Sequence, residues 1–350
     1  GVYYDLERLE KADAYVNQVL ERLERNGNPH PSFLKLAYHY KANFRRRDGR
    51  LAAAENYIRR ALSIDKGDAR QRASSLLILA DVLGGRGRHD EALRHVQAAL
   101  ALEVDGFVPG ALYDNPALAR IPHFGRGLDL LRLKASLLHR RGVARSSEKD
   151  LSQSLTTYRL TDSLVTKARR RLPHNASKVS LAAAAHRLYA GAVAAGHAFY
   201  RLSGNPACLD FAFTYSEKSK AMLVLEKIHD LYAKRFHGIH PNLVEEEQRL
   251  LEDIEFYSNQ LQYYRRYYPE EKTLLREWEK TLFRLNRRQE ELLDLFQRDF
   301  PEYYRLKHDL VSATPQRVQQ SLLLKNEALL EYFAADSNLY IFLITPEVRD

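Results

Sequence analysis

A thiolate is a nucleophile and an imidazole can carry its proton, so a cysteine with a histidine near it is the first pattern to test. The 350-residue chain has one cysteine, Cys208, with His197 eleven residues before it. No glycine elbow or oxyanion-hole pattern surrounds Cys208, which follows Asn205-Pro206 at the start of a helical run. These surroundings predict a small buried or turn cysteine, not a catalytic one. His237 and His240 stand three apart, and His229 lies eight before His237, a spacing that could share a metal on a helix. Gly238 and Pro241 make that segment a loop and Asp230 is its nearest carboxylate, so no metal and no cofactor is expected. Tyr263, Tyr264, Tyr267, Tyr268 and Trp278, with Arg265 and Arg266, could stack on bases or a peptide. Their helical spacing predicts burial instead, with Tyr264 in a helix seam and Tyr267 and Tyr268 at a hairpin tip.

Charge narrows the partner classes. The first 200 residues hold 33 Lys/Arg against 20 Asp/Glu, and the remaining 150 hold 21 against 25. A basic half can attract an acidic partner or nucleic acid. Its densest runs, Arg45-Arg46-Arg47 and Lys167 to Arg171, lack the glycines and stacking aromatics of a nucleic-acid motif, so solvated helix faces are the plainer expectation. A single cysteine excludes an intrachain disulfide and fits a reducing, cytoplasmic setting. The most apolar stretch, Leu181 to Ala195, is interrupted by His186 and Arg187, so no membrane span is expected.

What must position any site is a set of repeated helices. The segment Gly49 to Leu62 aligns without a gap on Gly87 to Leu100, at an offset of 38 residues. Each has glycine at the turn, alanine five and twelve residues on (Ala54 and Ala61; Ala92 and Ala99) and a larger apolar residue between (Ile58; Val96). Small residues at those spacings let a second helix press on the one before it. The preceding helices comply, with Tyr38, Ala42 and Arg45 in one and Leu76, Ala80 and Leu83 in the next. This pattern resembles the tetratricopeptide repeat, whose paired helices bury their faces only against neighbours and stack into a solenoid. A third unit carries Leu131, Ala135 and Leu138, then Leu155 to Val165, after a loop or short helix over 104–127. A fourth pairs Val179–Leu202 with Cys208–Ile228 across Ser203 to Pro206.

The resemblance places a binding groove on the first helix of each hairpin. It would be lined by His39, Asn43, Arg46 and Arg47, then Ser74, Leu77 and Asp81, then Arg132, Ser136, His139 and Arg140. Asn43 matches the asparagine of carboxylate-clamp repeats. His39 stands where those clamps use lysine, and Asp129 and Leu133 stand where they place basic residues. The implied occupant is therefore an acidic or polar peptide held by Arg46, Arg132 and Arg140, and not a chaperone tail.

From about Asn242, Leu250, Ile254, Tyr257, Leu261 and Tyr264, then Leu275, Trp278, Leu282 and Leu285, repeat at coiled-coil spacing around a break at Pro269. This predicts a long antiparallel helical hairpin. The last 24 residues switch to strand, with Glu327 to Ala334 and Leu339 to Thr345 flanking a polar turn at 335–338. Leu339 to Ile344 is apolar without alternation, which predicts a strand covered on both faces. A lone hairpin cannot bury such a strand. The expectation is a mainly α chain: a repeat array over 1–235, a helical hairpin linker over 236–312, and over 313–350 the first strands of a further sheet domain, cut just inside it.

Several second-half segments resemble bacterial tetratricopeptide proteins that carry a CHAT domain, a caspase-like fold. Phe213 to Glu226 is similar to the helix that ends the array in that family, and Phe236 to Glu247 to the loop opening its next helix. Pro301 to Lys307, and Val318-Gln319 before Leu322-Leu323, resemble the run-in to the caspase-like sheet, and Ala328 to Thr345 its first β-hairpin. The resemblance implies a His/Cys thiol-protease dyad well downstream of this hairpin. No position of the chain matches either motif, so these 350 residues are expected to have no peptidase activity of their own. The implied partners are a protein or peptide in the groove and a CHAT domain following Asp350. The alternatives are a purely non-catalytic interaction scaffold and a nucleic-acid-responsive basic module.

Overall fold

Glycine in the left-handed region ends a helix by letting the chain double back, and the two aligned segments do this identically. Gly49 has φ +73° and Gly87 φ +75°. In each turn the next amide reaches five residues back, Arg50 N to the Arg45 carbonyl at 2.8 Å and Arg88 N to the Leu83 carbonyl at 3.0 Å. A third turn repeats the bond, Ser147 N to the Gly142 carbonyl at 2.9 Å, with Ser146 at φ +49° in the glycine's place. A side chain in that region costs about 1–2 kcal/mol. Ser146→Gly is therefore expected to raise the unfolding free energy measured in urea, by up to about 1 kcal/mol after the entropic cost of glycine.

The computed structural model describes residues 6–25, 31–64, 69–121, 124–171, 175–220, 239–268, 270–308, 313–335 and 338–347. The chain divides into two compact units, Gly1–Leu164 with Gly191–Ala212, and Val165–Ala190 with Phe213–Asp350. Thirteen α-helices and one two-stranded sheet are found among the described residues, the mainly helical fold class expected from the sequence.

In the first unit α1 (Leu6–Arg25) precedes two hairpins, α2 (Pro31–Arg47) with α3 (Leu51–Ile64) and α4 (Ala69–Gly85) with α5 (His89–Glu103). A third pairs α6 (Phe124–Arg145) with α7 (Glu148–Arg171). The alanines singled out by spacing are where helices press together: Ala42, Ala54, Ala61, Ala80, Ala92 and Ala99 are fully buried, and Ile58 and Val96 with them. α8 (Asn175–Ser203) and α9 (Ala207–Ser219) follow, each contributing residues to both units. Residues 221–228 of the expected fourth pair lie outside the described residues.

Residues 104–121 form a loop with one 3-10 turn at Leu118–Arg120, and buried polar side chains hold it down. Lys134 of α6 is 0% exposed. Its ammonium donates to Asn115 Oδ1 at 2.8 Å, to Gln97 Oε1 at 3.3 Å and to the Asp114 carbonyl. The Gln97 amide donates to the Ala111 and Asp114 carbonyls at 2.6 and 3.0 Å. Beside it Arg141, 4% exposed, donates to both oxygens of Asp150 at 2.6 and 2.8 Å and to Asp90 at 2.7 Å. Tyr113 of the loop donates to Asp150 at 2.7 Å. These bonds fix α6, and with it the third row of proposed groove residues.

In the second unit α10 (Pro241–Tyr267) and α11 (Lys272–Asp299) form the expected hairpin. Pro241 occupies the first helical position and His240 Nδ1 accepts from the Asn242 amide at 3.3 Å, which starts α10. Leu250, Leu292 and Phe296 pack with Tyr303 and Tyr304 of α12 (Pro301–His308). α13 (Pro315–Ser321) begins on Thr314, whose hydroxyl accepts from the Arg317 amide. β1 (Leu329–Ala334) and β2 (Leu339–Ile344) pair antiparallel, with Glu331 opposite Phe342 and Phe333 opposite Tyr340.

The sheet departs from expectation on one point. β2 is not covered on both faces: Phe342 and Ile344 are buried, whereas Leu339, Ile341 and Leu343 are exposed. Two strands give one face to the helices and leave the other open, so an unbroken apolar run ends half in water.

Candidate functional site

The proposed groove residues lie on α2, α4 and α6, and those of α2 and α4 meet directly. Their side chains divide into those already occupied and those that face solvent. Between α2 and α4, His39 Nε2 lies 2.8 Å from Ser75 Oγ, and Arg46 forms an ion pair with Asp81 at 2.8 Å. These three groove residues therefore serve first as cross-links between successive hairpins. Lys35 of α2 reaches Gln71 of α4 at 3.0 Å in the same way. Asn43 and Ser136 are half-buried, and Arg47 and Arg140 are exposed with no salt-bridge partner among the described residues.

On α6 the inward face is Leu130, Leu131, Lys134, Leu138 and Arg141, which leaves Arg132, Ser136, His139 and Arg140 on the outer one. Arg132 approaches Asp129 one turn away at 3.9 Å, a contact worth little at a half-exposed site. His139 is pushed down to about 4 by burial and by the neighbouring Arg140 cation. It is a neutral imidazole at pH 7 and adds a hydrogen-bonding edge, not a charge. The positive charge available to a ligand is thus carried by Arg47, Arg132 and Arg140.

The other chemical candidates have structural duties. Cys208 is buried and burial pushes its thiol up, away from the reactive thiolate. His197 is pushed down, chiefly by burial. His240 caps α10, and His229 and His237 lie outside the described residues. Tyr264 stands edge-on to Trp278 at 4.9 Å in the hairpin seam, with Tyr263 and Tyr268 against it at 5.8 and 5.1 Å. Arg265 pairs with Glu279 across the hairpin. The side chains of Arg266 and Tyr267 lie outside the described residues. In the Arg45 to Arg47 run, Arg45 pairs with Asp13 and Asp48 and Arg46 with Asp81, so most of that charge is neutralised internally.

Sequence reasoning missed the buried polar pins. The signals were present: Lys134 interrupts the apolar run Leu130 to Leu138, and Glu331 interrupts a strand.

Residues 34–102 match the tetratricopeptide repeat. The match runs from α2 to α5, the two hairpins with the shared glycine turn and alanine spacing. No curated protein matches the chain. Among the described residues no helix is long and apolar enough to cross a membrane. Tetratricopeptide repeats are protein-interaction scaffolds, and that is the function the first unit supports.

Proposed function

We propose that the chain is the partner-binding and regulatory half of a CHAT-type, caspase-like cysteine protease of the cytoplasm, with no peptidase activity of its own. The observation that carries this reading is the apolar outer face of the β-hairpin. Its strands bury a carboxylate, Glu331, and turn Leu330, Tyr332, Leu339, Ile341 and Leu343 to solvent. An apolar sheet face of five large residues is what further strands and helices of an α/β domain cover. The order of elements, repeat array, helical hairpin, two short helices and then this hairpin, supports the resemblance drawn from the sequence. Reading the gene past Asp350 tests the proposal. A caspase-like segment with a histidine and a cysteine is expected; a stop codon or an unrelated fold overturns it.

In this reading the groove takes an acidic or polar peptide through Arg132 and Arg140, with Arg47 in place of the expected Arg46, which Asp81 already pairs. A fluorescent oligoglutamate peptide is expected to bind by polarisation. Converting the three arginines to alanine, which breaks no cross-link between hairpins, is expected to weaken it about tenfold or more, since each charge-assisted contact contributes on the order of 1 kcal/mol. Unchanged affinity in the triple variant would remove the groove from the proposal. An RNA oligomer of equal charge that bound more tightly would favour the nucleic-acid reading.

A further inference from the structure

The inward face of β1 meets the end of α9 through one charged residue. Glu331 is 4% exposed and accepts a hydrogen bond from Ser216 and an ion pair from Lys220 Nζ at 2.9 Å. The same ammonium bonds Glu217 at 2.7 Å, so two carboxylates share one cation. Apolar contacts flank this cluster: Phe213 of α9 stands edge-on to Phe342 at 5.6 Å, and His186 of α8 lies against Phe333 at 5.8 Å while bonding Ser219 at 2.7 Å. From the other side Gln319 of α13 donates to the Thr345 carbonyl at 2.8 Å. The charged or titratable groups around Glu331 among the described residues are thus Glu217 and Lys220 near the end of α9 and His186 on α8.

We propose that Glu331 is a protonation-controlled latch, which holds the β-hairpin against α9 when neutral and loosens it when ionised. The charge count gives the reason. With Glu331 protonated, Glu217 and Lys220 form a balanced pair and the Glu331 carboxyl donates its proton within the cluster. With Glu331 ionised, a second negative charge lies buried against Glu217, and one ammonium must serve both. Burial first, then Glu217, push Glu331 up to about 7. The docked value lies above the ordinary 4.5, so docking is strongest below pH 4.5 and weakens as pH rises through about 7. The latch therefore works near neutrality. The device stands on the hairpin's own contacts and not on the proposed function.

Hydrogen exchange of the β1 and β2 amides, followed from pH 5 to pH 8 and corrected for intrinsic rate, tests the latch on the whole chain. The protection factor is expected to fall on the order of 50-fold across that range. Glu331→Gln keeps the shape and removes the charge, so its protection is expected to stay flat and high. Glu217→Gln removes the competing carboxylate and is expected to move the midpoint to lower pH. A wild-type change of less than twofold, or an equal slope in Glu331→Gln, would overturn the latch. Peptide binding to the groove is read separately, so either proposal can fail without the other.

Discussion

Arg141→Ala is expected to lower the unfolding free energy of the first unit by about 3–5 kcal/mol, because removing one partner of a buried ion pair leaves the other charge uncompensated. Arg141 and Asp150 are 4% and 3% exposed, and the guanidinium grips both carboxylate oxygens. Deleting it strands Asp150 with only the Tyr113 hydroxyl, and frees Asp90 to pair with Arg145 alone. Arg141→Lys is expected to recover only part of the loss, since an ammonium cannot match the two-pronged geometry. Urea unfolding followed by circular dichroism measures both variants, and a loss under about 1 kcal/mol for the alanine variant would refute the account. The pH dependence has a definite sign. Burial pushes the Asp150 carboxyl up, but the hydrogen bonds from Arg141 and Tyr113 outweigh it and hold the group below its usual 3.8. A carboxylate with a lowered folded value contributes stability above its unfolded value and loses it as pH falls through the folded one. Wild type is therefore expected to lose this stability below about pH 4, and Arg141→Ala is expected to lack that acid limb.

The second large effect is alkaline. Lys134 is pushed down to about 7, chiefly by burial. Its folded value lies below the unfolded 10.5, so between these limits the unfolded chain holds a proton that the folded chain has released. Stability then rises with pH across that window. Wild type is expected to gain about 2 kcal/mol between pH 7 and pH 9 relative to Lys134→Met, which carries no titrating group there. Paired urea titrations at the two pH values give the difference. A parallel response of the two proteins would show that Lys134 keeps its proton throughout, held by Gln97, Asp114 and Asn115.

The array was readable because its determinants are local and periodic. Gly49 and Gly87 mark turns that need a left-handed residue, and Ala54, Ala61, Ala92 and Ala99 mark helix crossings that admit only small side chains. The same logic located the hairpin through Leu250, Ile254 and Leu261 and both strands of the sheet. What stayed hidden depends on partners far along the chain. Ser146 adopts a glycine's conformation without a glycine's identity. Lys134 finds its partners Gln97 and Asn115 at separations of 37 and 19 residues, beyond the reach of local spacing. In the groove, the spacing placed His39, Arg46 and Asp81 together but did not disclose that Arg46 and Asp81 pair with each other and His39 with Ser75. Periodicity tells which face a residue occupies and is silent about its partner on the next helix.

The loop that carries Tyr113, Asp114 and Asn115 separates the second and third hairpin turns, so that Ser146 falls 59 residues after Gly87 and not 38. To someone redesigning the array as a regular scaffold, those 21 extra residues look like a dispensable decoration. They are instead the polar lid over a buried ammonium, with Asp114 and Asn115 accepting from Lys134 and Tyr113 set beside Arg141. Excising them alone would leave Lys134 with Gln97 in place of three acceptors, so a regularised version must exchange that lysine for an aliphatic side chain in the same step and keep Arg141, which Asp150 and Asp90 still hold.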